Sequence, residues 1–323
     1  MDENDFLIGV VSDGDVRRGL LAYRDINGPI EDLINKTPVV VRPGASSDKI
    51  FQLFERYALT AIPVVDDKGC VQDLIIPFQS SPNVKTPKIK LNGVSTVIMA
   101  GGEGQRLRPL TKTVPKPLLK VGGKPLIERM VSRLISSGLR DIYVSVNYLG
   151  EKIEDHFGDG KRFGANISYL REQQKLGTAG ALSLLPVDID GDVLVLNGDV
   201  IVGTEFSRFV NFHKSSGCAI TVAVTPHDVT IPYGVVDVQN ELVAGIDEKP
   251  TNRFLVNAGM YVVQSRIIHQ LEREKPINMT DIIAQALAAG EEVTPFFLHE
   301  PWLDVGTPAQ YQVAHEIVHV MDS

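Results

Sequence analysis

Cysteine and tryptophan are scarce in this sequence, and long apolar runs are absent from it. The 323 residues include two cysteines, Cys70 and Cys218, and one tryptophan. Two cysteines so far apart form neither a disulfide framework nor a metal-type spacing, which favours a reduced, cytoplasmic compartment. No apolar run approaches the ~18 residues of a membrane span, and the acidic residues 1–5 do not fit a signal peptide. We therefore predict a protein without a membrane partner.

Positive charge is also in short supply. Lysine and arginine number 32 against 40 aspartates and glutamates, so the formal net charge is −8. A general nucleic-acid surface is normally basic, so this balance predicts no nucleic-acid partner. The composition, 43% hydrophobic and 22% charged, is that of a globular chain of about two domains.

A polar segment divides the chain. Residues 81–93 contain Pro82 and Pro87 and show no apolar periodicity, which is typical of a linker. This predicts a smaller α+β domain over 1–80 and a larger domain over 94–323.

The larger domain alternates strand and helix patterns. Short β-rich runs occur at 97–100, 142–146, 167–170, 193–196 and 220–224, and their continuous apolar character suits strands buried on both faces. The clearest helical pattern begins at Pro125 and stops at Gly138. The alternation predicts an α/β fold with a Rossmann-like, mostly parallel sheet, in which ligands bind at the carboxyl ends of the strands.

A glycine-rich loop follows the first of these strands. The stretch 97–118 reads VIMAGGEGQRLRPLTKTVPKPL. A P-loop would need glycine where Arg106 stands, and a dinucleotide fingerprint would need glycine where Leu107 stands. Two interpretations remain open: a loop whose bare backbone closes on phosphate oxygens, or a glycine-rich surface turn with incidental basic residues.

Later motifs bear on this choice. The G-G-x-G-x-R-L-x-P-L-T loop with its P-K-P resembles the signature of the sugar-1-phosphate nucleotidylyltransferases. Five more motifs follow in the order of that family: LGTAGAL (176–182), LNGDVI (196–201), EKP (248–250), NAGMYV (257–262) and WLDVGTPAQY (302–311). The resemblance covers 94 to about 319. It implies the nucleotidyltransferase A-like fold and a Mg²⁺-assisted reaction of a nucleoside triphosphate with a sugar 1-phosphate, giving a nucleotide sugar and pyrophosphate.

The resemblance also implies roles for single residues. Asp199 and Asp304 match the family's metal ligands, and the catalytic cations would be Arg106, Lys116 and Lys249, which hold phosphates. The implied nucleotide site comprises Ala100, Gly101, Gly102, Gly104, Glu172, Gly177 and Thr178. The implied sugar-phosphate site comprises Gly198, Glu248, Lys249 and Asn257. An already ionised phosphate attacks, so no general base is expected.

The single compact loop and LGTAGAL resemble the guanylyltransferase branch. This favours GTP as the nucleotide and glucosamine 1-phosphate as the acceptor, as in the guanylyltransferase of legionaminic acid biosynthesis, a bacterial surface-glycan pathway. Mannose or heptose 1-phosphate is the alternative acceptor, and thymidylyl or uridylyl transfer is the alternative reaction. A non-catalytic nucleotide-sensing protein is the competing class.

The first 80 residues resemble CBS modules. GVVSDGDV (9–16) and the strand–helix–strand pattern of 39–65 carry this resemblance. Ser12 and Asp15 match the [ST]-x-x-D that holds an adenosine nucleotide in such modules. The first module lacks its early strand and helix, which indicates a truncated pair or a piece of a longer chain. The alternative is a domain without a ligand that either packs against the rest of the chain or joins two chains into a homodimer.

A zinc-protease pattern, H-E-x-x-H, occurs at 315–319. A catalytic zinc site needs a third protein ligand, and only residues 320–323 follow. We expect the pattern to arise by chance on a packing helix that starts near Thr307, which leaves a zinc hydrolase as a weak rival.

Overall fold

The computed structural model describes residues 1–2, 5–11, 15, 29–46, 49–50, 53, 59, 61–75, 91, 93–298 and 300–321. The chain divides into two units, Met1–Pro87 and Lys88–Ser323. Most of the predicted linker 81–93 and Ser12 lie outside the described residues. The predicted domain bounds therefore stay a prediction.

The strands, in chain order, are β1 (Ile62–Val65), β2 (Val71–Ile75), β3 (Val94–Met99), β4 (Lys120–Val121), β5 (Lys124–Pro125), β6 (Asp141–Val146), β7 (Asn166–Arg171), β8 (Asp192–Asn197), β9 (Val200–Val202), β10 (Ile220–Thr230), β11 (Gly234–Gln239), β12 (Leu242–Glu248), β13 (Thr251–Gln264), β14 (Val293–Phe297) and β15 (Trp302–Asp304). The α-helices are α1 (Leu126–Ser136), α2 (Gly150–Phe157), α3 (Phe206–Ser216), α4 (Ser265–Ile268), α5 (Met279–Ala288) and α6 (Pro308–Met321). Within the described residues, no helix is long and apolar enough to cross a membrane.

Seven strands of the larger unit form one sheet in the order β14-β10-β13-β8-β3-β6-β7. Every neighbouring pair is parallel except the two pairs made by β13, which runs antiparallel to β10 and to β8. The predicted α/β class with a mostly parallel sheet is thus confirmed. All five predicted strand runs fall within or overlap strands of this sheet.

Burial on both faces explains the continuous apolar runs. In β8, Leu194 and Leu196 pack into the core layer that includes Val131 of α1. Val193 and Val195 face the opposite layer, which includes Met279 of α5. Since successive side chains of a strand point to opposite faces, a strand covered on both sides needs apolar residues at every position.

Beyond the sheet, β10 and β13 continue as a two-stranded ribbon that carries β11 and β12 at its end. We call residues 225–257 the ribbon. In its first part β10 pairs with β13, from Thr225 opposite Val256 to Thr230 opposite Thr251. In its second part β11 pairs with β12, starting with Gly234 opposite Glu248. Every residue of β11 and β12 is exposed. The ribbon therefore extends away from the packed layers.

The smaller unit is described only in part. Its β1 and β2 pair antiparallel, and a small core joins Val41, Ile62 and Val64. The predicted strand at 39–41 is wrong, because the structure has only a single parallel bridge between Val41 and Val64 there. Pro38 and Pro43 bracket this run and lack the N–H that a longer ladder would need. Asp15, a predicted nucleotide ligand, is half-buried.

Candidate functional site

The carboxyl ends of four adjacent parallel strands place most of the predicted site residues on one edge of the sheet. The glycine loop follows β3, Asn147 follows β6, Glu172 follows β7, and Gly198 and Asp199 follow β8. These strands are neighbours in the sheet, so their ends meet. This is the position at which open α/β sheets bind ligands.

The glycine loop is packed tightly against the segment that follows it. Gly104 has a positive φ of 61°, and a Cβ there would lie 2.9 Å from Thr111 Cγ2 and 3.0 Å from Lys116 Cβ. The Thr111 hydroxyl donates a hydrogen bond to the Gly104 carbonyl at 2.8 Å. Glycine is therefore needed at 104 both for its backbone conformation and for this close approach. The loop holds Lys116 in place.

Lys116 lies between the two predicted metal ligands. Its side chain is buried, its amino group donates a hydrogen bond to Asp199, and it lies 3.9 Å from an oxygen of Asp304. Asp304 is brought there by β15, which pairs antiparallel with β9 so that Asp304 faces Val200. The backbone N–H of Val305 also donates to the Asp199 carbonyl at 3.0 Å. Residues far apart in sequence thus form one charged cluster, Lys116–Asp199–Asp304.

The cluster makes Asp304 harder to ionise. Burial raises the pKa of the Asp304 carboxyl above its usual range, and the neighbouring Asp199 raises it further. Lys116 and Arg106 act in the opposite direction on the same pKa. Arg106 is exposed, and its guanidinium approaches to 3.1 Å of the point where a Gly306 Cβ would lie. Arg106 therefore lies at the mouth of the cluster.

Glu172 closes the other side of the glycine loop. A Cβ on Gly101 would lie 2.6 Å from a carboxylate oxygen of Glu172, so the loop backbone and this side chain are in close contact. The carboxylate accepts a hydrogen bond from the Leu176 N–H at 3.2 Å. Burial raises the pKa of Glu172, while the Leu176 N–H and the Ser145 hydroxyl lower it. A half-buried carboxylate next to bare backbone is suited to accept N–H donors from a planar base.

The Gly177–Thr178 turn is held by a residue that the sequence analysis missed. The Asn278 side-chain oxygen accepts from the Thr178 N–H at 3.2 Å, and Gly177 has a φ of 79° with no room for a Cβ beside Ile277. Asn278 is also the N-cap of α5 in a capping box with Asp281. The Asn-x-x-Asp spacing is a readable helix-start signal. Its contact with Thr178, 100 residues away, is not readable from sequence.

Asn257 and Gly198 lie where β13 meets β8. The Asn257 amide donates to the Tyr261 hydroxyl at 2.7 Å and its oxygen accepts from the Gly259 N–H at 2.9 Å. Gly259 has a φ of 70°, and a Cβ there would lie 2.5 Å from the Asn197 side-chain nitrogen. Gly198 donates its N–H to the Met99 carbonyl at 2.9 Å. These contacts hold Asn257 and Gly198 in place next to Asp199.

Two predicted residues are not joined to the cluster. Glu248 and Lys249 lie on the ribbon, and both are exposed. The Lys249 backbone has a positive φ of 50°, and its N–H donates to the Tyr233 carbonyl. Among the described residues, no hydrogen bond or ion pair links their side chains to Asp199, Asp304 or Lys116.

The H-E-x-x-H residues take part in packing contacts. His315 accepts a hydrogen bond from the Gly122 N–H at 3.4 Å, and its ring lies edge-on to Tyr311 at 5.2 Å between centroids. The described part of the chain contains no group of three or more His, Cys, Asp or Glu side chains able to hold a metal ion. The zinc-hydrolase alternative therefore gains no support.

The donor set of the cluster suits a hard cation. Asp199 and Asp304 present carboxylate oxygens to the same amino group, so both face one point. Mg²⁺ is typically held by one or two carboxylates, with water and substrate phosphates completing its coordination. The residues present thus fit Mg²⁺ bound together with a phosphorylated ligand.

The nucleotidyl transferase family model matches residues 95–319 of the chain, and the CBS domain model matches residues 30–75. The chain belongs to the nucleotidyl transferase family. This confirms the resemblance drawn from the glycine loop and its later motifs, and it confirms a CBS domain over residues 30–75. The segment 9–16, with Ser12 and Asp15, lies outside this match, so its ligand site stays a prediction.

Relatives in this family are mannose-1-phosphate guanylyltransferases. The protein of Yarrowia lipolytica is 36% identical over 67% of this chain and 61% of its own length. The protein of Mycobacterium tuberculosis is 29% identical over 68% of this chain and 62% of its own length. The chain thus spans about three fifths of the length of these curated relatives.

Solved structures share the fold. A Bacillus anthracis protein assigned as a glucose-1-phosphate thymidylyltransferase superposes with a TM-score of 0.58 at 27% identity, over 69% of this chain and 94% of its own. HddC of Yersinia pseudotuberculosis superposes with a TM-score of 0.55 at 24% identity, over 69% of this chain and 98% of its own. The second likeness concerns the fold alone.

Proposed function

We propose that the protein is a sugar-1-phosphate guanylyltransferase, which transfers GMP from GTP to a sugar 1-phosphate and releases pyrophosphate. The observation that carries this proposal is the Lys116–Asp199–Asp304 cluster at the carboxyl edge of the sheet, beside the glycine loop. Family membership supports the reaction class, and the guanylyltransferase relatives support GTP.

The reaction joins two anions, so charge neutralisation is its main requirement. A phosphate oxygen of the sugar 1-phosphate forms a bond to the α-phosphorus of the nucleotide. The bond between that phosphorus and the oxygen that bridges the α- and β-phosphates breaks, and pyrophosphate leaves on the opposite side. The attacking oxygen is already ionised at neutral pH, so no residue has to remove a proton. The residues must instead hold and align the phosphates.

The basic residues divide this work. Lys116 donates to the nucleotide phosphates from inside the cluster, and Arg106 at its mouth holds the leaving pyrophosphate. Lys249 is assigned to the phosphate of the acceptor by its motif. Each charge-assisted hydrogen bond is worth about 1.5–3 kcal/mol. The loss of any one of these residues should thus lower kcat/KM at least about tenfold.

The carboxylates serve the metal and the base. Asp199 and Asp304 would hold Mg²⁺, which when bound neutralises phosphate charge as a Lewis acid. The Glu172 carboxylate is assigned to the base, from which it accepts a hydrogen bond. The backbone N–H groups of Gly101, Gly102 and Gly104 are assigned to the phosphates of the nucleotide. Ala100, Gly177 and Thr178 line the same pocket, and Gly198, Glu248 and Asn257 face the sugar.

Mannose 1-phosphate is the acceptor that the relatives favour. Glucosamine 1-phosphate, on the legionaminic acid route, is the acceptor predicted from the sequence, and both remain proposals. A cytoplasmic location, a homodimer and an adenosine nucleotide at Ser12 and Asp15 of the CBS-like part also remain predictions. Sizing the intact chain and titrating it with AMP and ATP test the homodimer and the adenosine site.

The decisive test is nucleotide-sugar formation, followed by chromatography. Each of GTP, UTP, dTTP, CTP and ATP is offered with Mg²⁺ and with mannose, glucosamine, glucose or heptose 1-phosphate. We expect GTP-dependent product that Asp199→Asn abolishes and that Asp155→Asn, an exposed substitution on α2, leaves unchanged. Nucleotide binding without product in any combination would refute the proposed transferase activity and favour the non-catalytic, nucleotide-sensing alternative.

A further inference from the structure

A cavity of about 430 Å³ opens beside the segment that carries Lys116. Its walls come from the segment before α1, from α1 itself and from α2. The lining residues are Thr113, Val114, Pro115, Leu118, Lys120, Gly123, Lys124, Pro125, Glu128, Lys152 and His156. The volume lies in the range of about 300–1,000 Å³ that is usual for small-molecule sites.

Three lysines line this cavity on a chain whose net charge is −8. Lys120, Lys124 and Lys152 are all exposed, and among the described residues no carboxylate forms an ion pair with any of them. Lys152 donates to a neutral acceptor, the Thr113 carbonyl, at 2.5 Å. The ammonium groups therefore combine into a positive potential that is not neutralised locally.

The one carboxylate in the lining is already engaged. Glu128 lies 3.0 Å from the His156 ring nitrogen, which holds both side chains on the wall formed by α1 and α2. Glu128 contributes one negative charge against three lysine ammonium groups, so the cavity keeps an excess of positive charge.

The cavity is separate from the Lys116–Asp199–Asp304 cluster although it shares a wall with it. Pro115 and Leu118 line the cavity, and the Leu118 N–H donates to the Pro115 carbonyl at 2.8 Å across the turn that contains Lys116. The Lys116 side chain leaves this turn toward Asp199. A ligand in the cavity would contact the turn without occupying the place of the triphosphate.

We propose that this lysine cavity is a second anion site, which binds a small phosphorylated molecule. Phosphate oxygens match the three ammonium groups, and the volume leaves room for a sugar-sized body above Pro115 and Leu118. Inorganic phosphate and a sugar phosphate share this chemistry. The test therefore separates the two sources.

The test is calorimetric titration of the full chain in phosphate-free buffer with EDTA, first without GTP and then with saturating GTP. The probes are inorganic phosphate, fructose 6-phosphate and, as the uncharged control, fructose. We expect saturable binding of at least one anion, no binding of fructose, and affinity that falls as salt rises, since exposed charges are screened. Stronger binding of fructose 6-phosphate than of inorganic phosphate would identify a sugar phosphate as the ligand class, and equal binding would identify phosphate alone.

The double variant Lys120→Ser/Lys124→Ser removes two of the three charges, and we expect it to weaken binding at least about tenfold. The matched control Lys161→Ser/Lys275→Ser removes two exposed lysines elsewhere that pair with Asp159 and Glu272, and it should bind as the parent does. Circular dichroism and GTP binding verify that both variants fold. Absence of saturable binding, displacement of the anion by GTP, or equal affinity in the two double variants would overturn the proposal. None of these readouts depends on turnover, so the second site and the proposed reaction fail separately.

Discussion

Replacing Lys116 with methionine removes the single positive charge between two carboxylates while keeping a chain of similar length. In the folded protein this side chain is 9% exposed, contacts Asp199 and lies 3.9 Å from Asp304. Without it, the two carboxylates face one another with no internal cation. The substitution therefore tests whether Lys116 holds the cluster together before any ligand arrives.

The size of the effect follows from the distance and the exposure. Two unit charges 3.9 Å apart interact by about 4 kcal/mol at an effective dielectric constant of about 20. Asp199 and Asp304 are 27% and 37% exposed, so water screens part of this attraction. We expect a net loss of about 1–2 kcal/mol in the free energy of unfolding. For a unit of this size, that lowers Tm by roughly 2–8 °C.

The assay compares thermal unfolding of the parent and of Lys116→Met in EDTA and in Mg²⁺. We expect the loss of Tm in EDTA and a larger Mg²⁺-induced rise in the variant, since a divalent cation can neutralise the carboxylates that Lys116 no longer reaches. Lys112→Met, an exposed substitution on the same segment, is the matched control and should leave both values unchanged. An equal Tm in EDTA for the parent and Lys116→Met would refute the reasoning.

Three further substitutions test other parts of the site. Lys249→Gln should raise KM for the sugar 1-phosphate at least about tenfold in steady-state kinetics, because one charge-assisted contact is lost. An unchanged KM would show that Lys249 does not bind the acceptor. Gly259→Ala should lower Tm, since its Cβ would lie 2.5 Å from the Asn197 side chain and the backbone has a φ of 70°. Gly245→Ala is the control, because a Cβ there meets nothing within 4 Å. An equal Tm for the two variants would contradict the packing argument. Burial raises the pKa of Glu172 in the folded state, so the stability linked to its protonated form is present below the unfolded pKa and is lost as the pH rises through the folded pKa. Glu172→Gln should therefore gain in Tm relative to the parent as the pH rises above about 4, the ordinary pKa of a glutamate. A Tm difference that does not vary with pH would show that burial of this carboxylate has no energetic consequence.

The strand that is clearest from sequence is one that is buried on both faces. The run 193–196 is apolar at every position and became β8, because each side chain enters one of two core layers. The run 251–264 mixes polar and apolar residues, because its first half forms part of the exposed ribbon. Its pattern therefore does not predict the strand β13. An antiparallel strand in the middle of the sheet is likewise not encoded in any local pattern.

The site shows the same division between local and long-range information. Asp199 was located by its place after a buried strand and by its motif, both of which are local. Its contact with Lys116 joins residues 83 positions apart and depends on how the glycine loop packs against Thr111. Lys249 illustrates the opposite case: its motif predicts a phosphate contact, whereas its side chain is exposed on the ribbon.

The pairing of Lys116 with the carboxylates has a consequence for the order of binding. Because the ammonium already neutralises part of the charge of Asp199 and Asp304, these carboxylates attract a free divalent cation less strongly than two unpaired carboxylates would. A triphosphate offers Lys116 several oxygens in place of one, so it can draw the ammonium away from Asp199 and free the carboxylates for the metal that accompanies it. Lys116 would thereby couple nucleotide and metal binding. In the parent, Mg²⁺ should raise GTP affinity strongly, and in Lys116→Met Mg²⁺ should bind measurably without GTP.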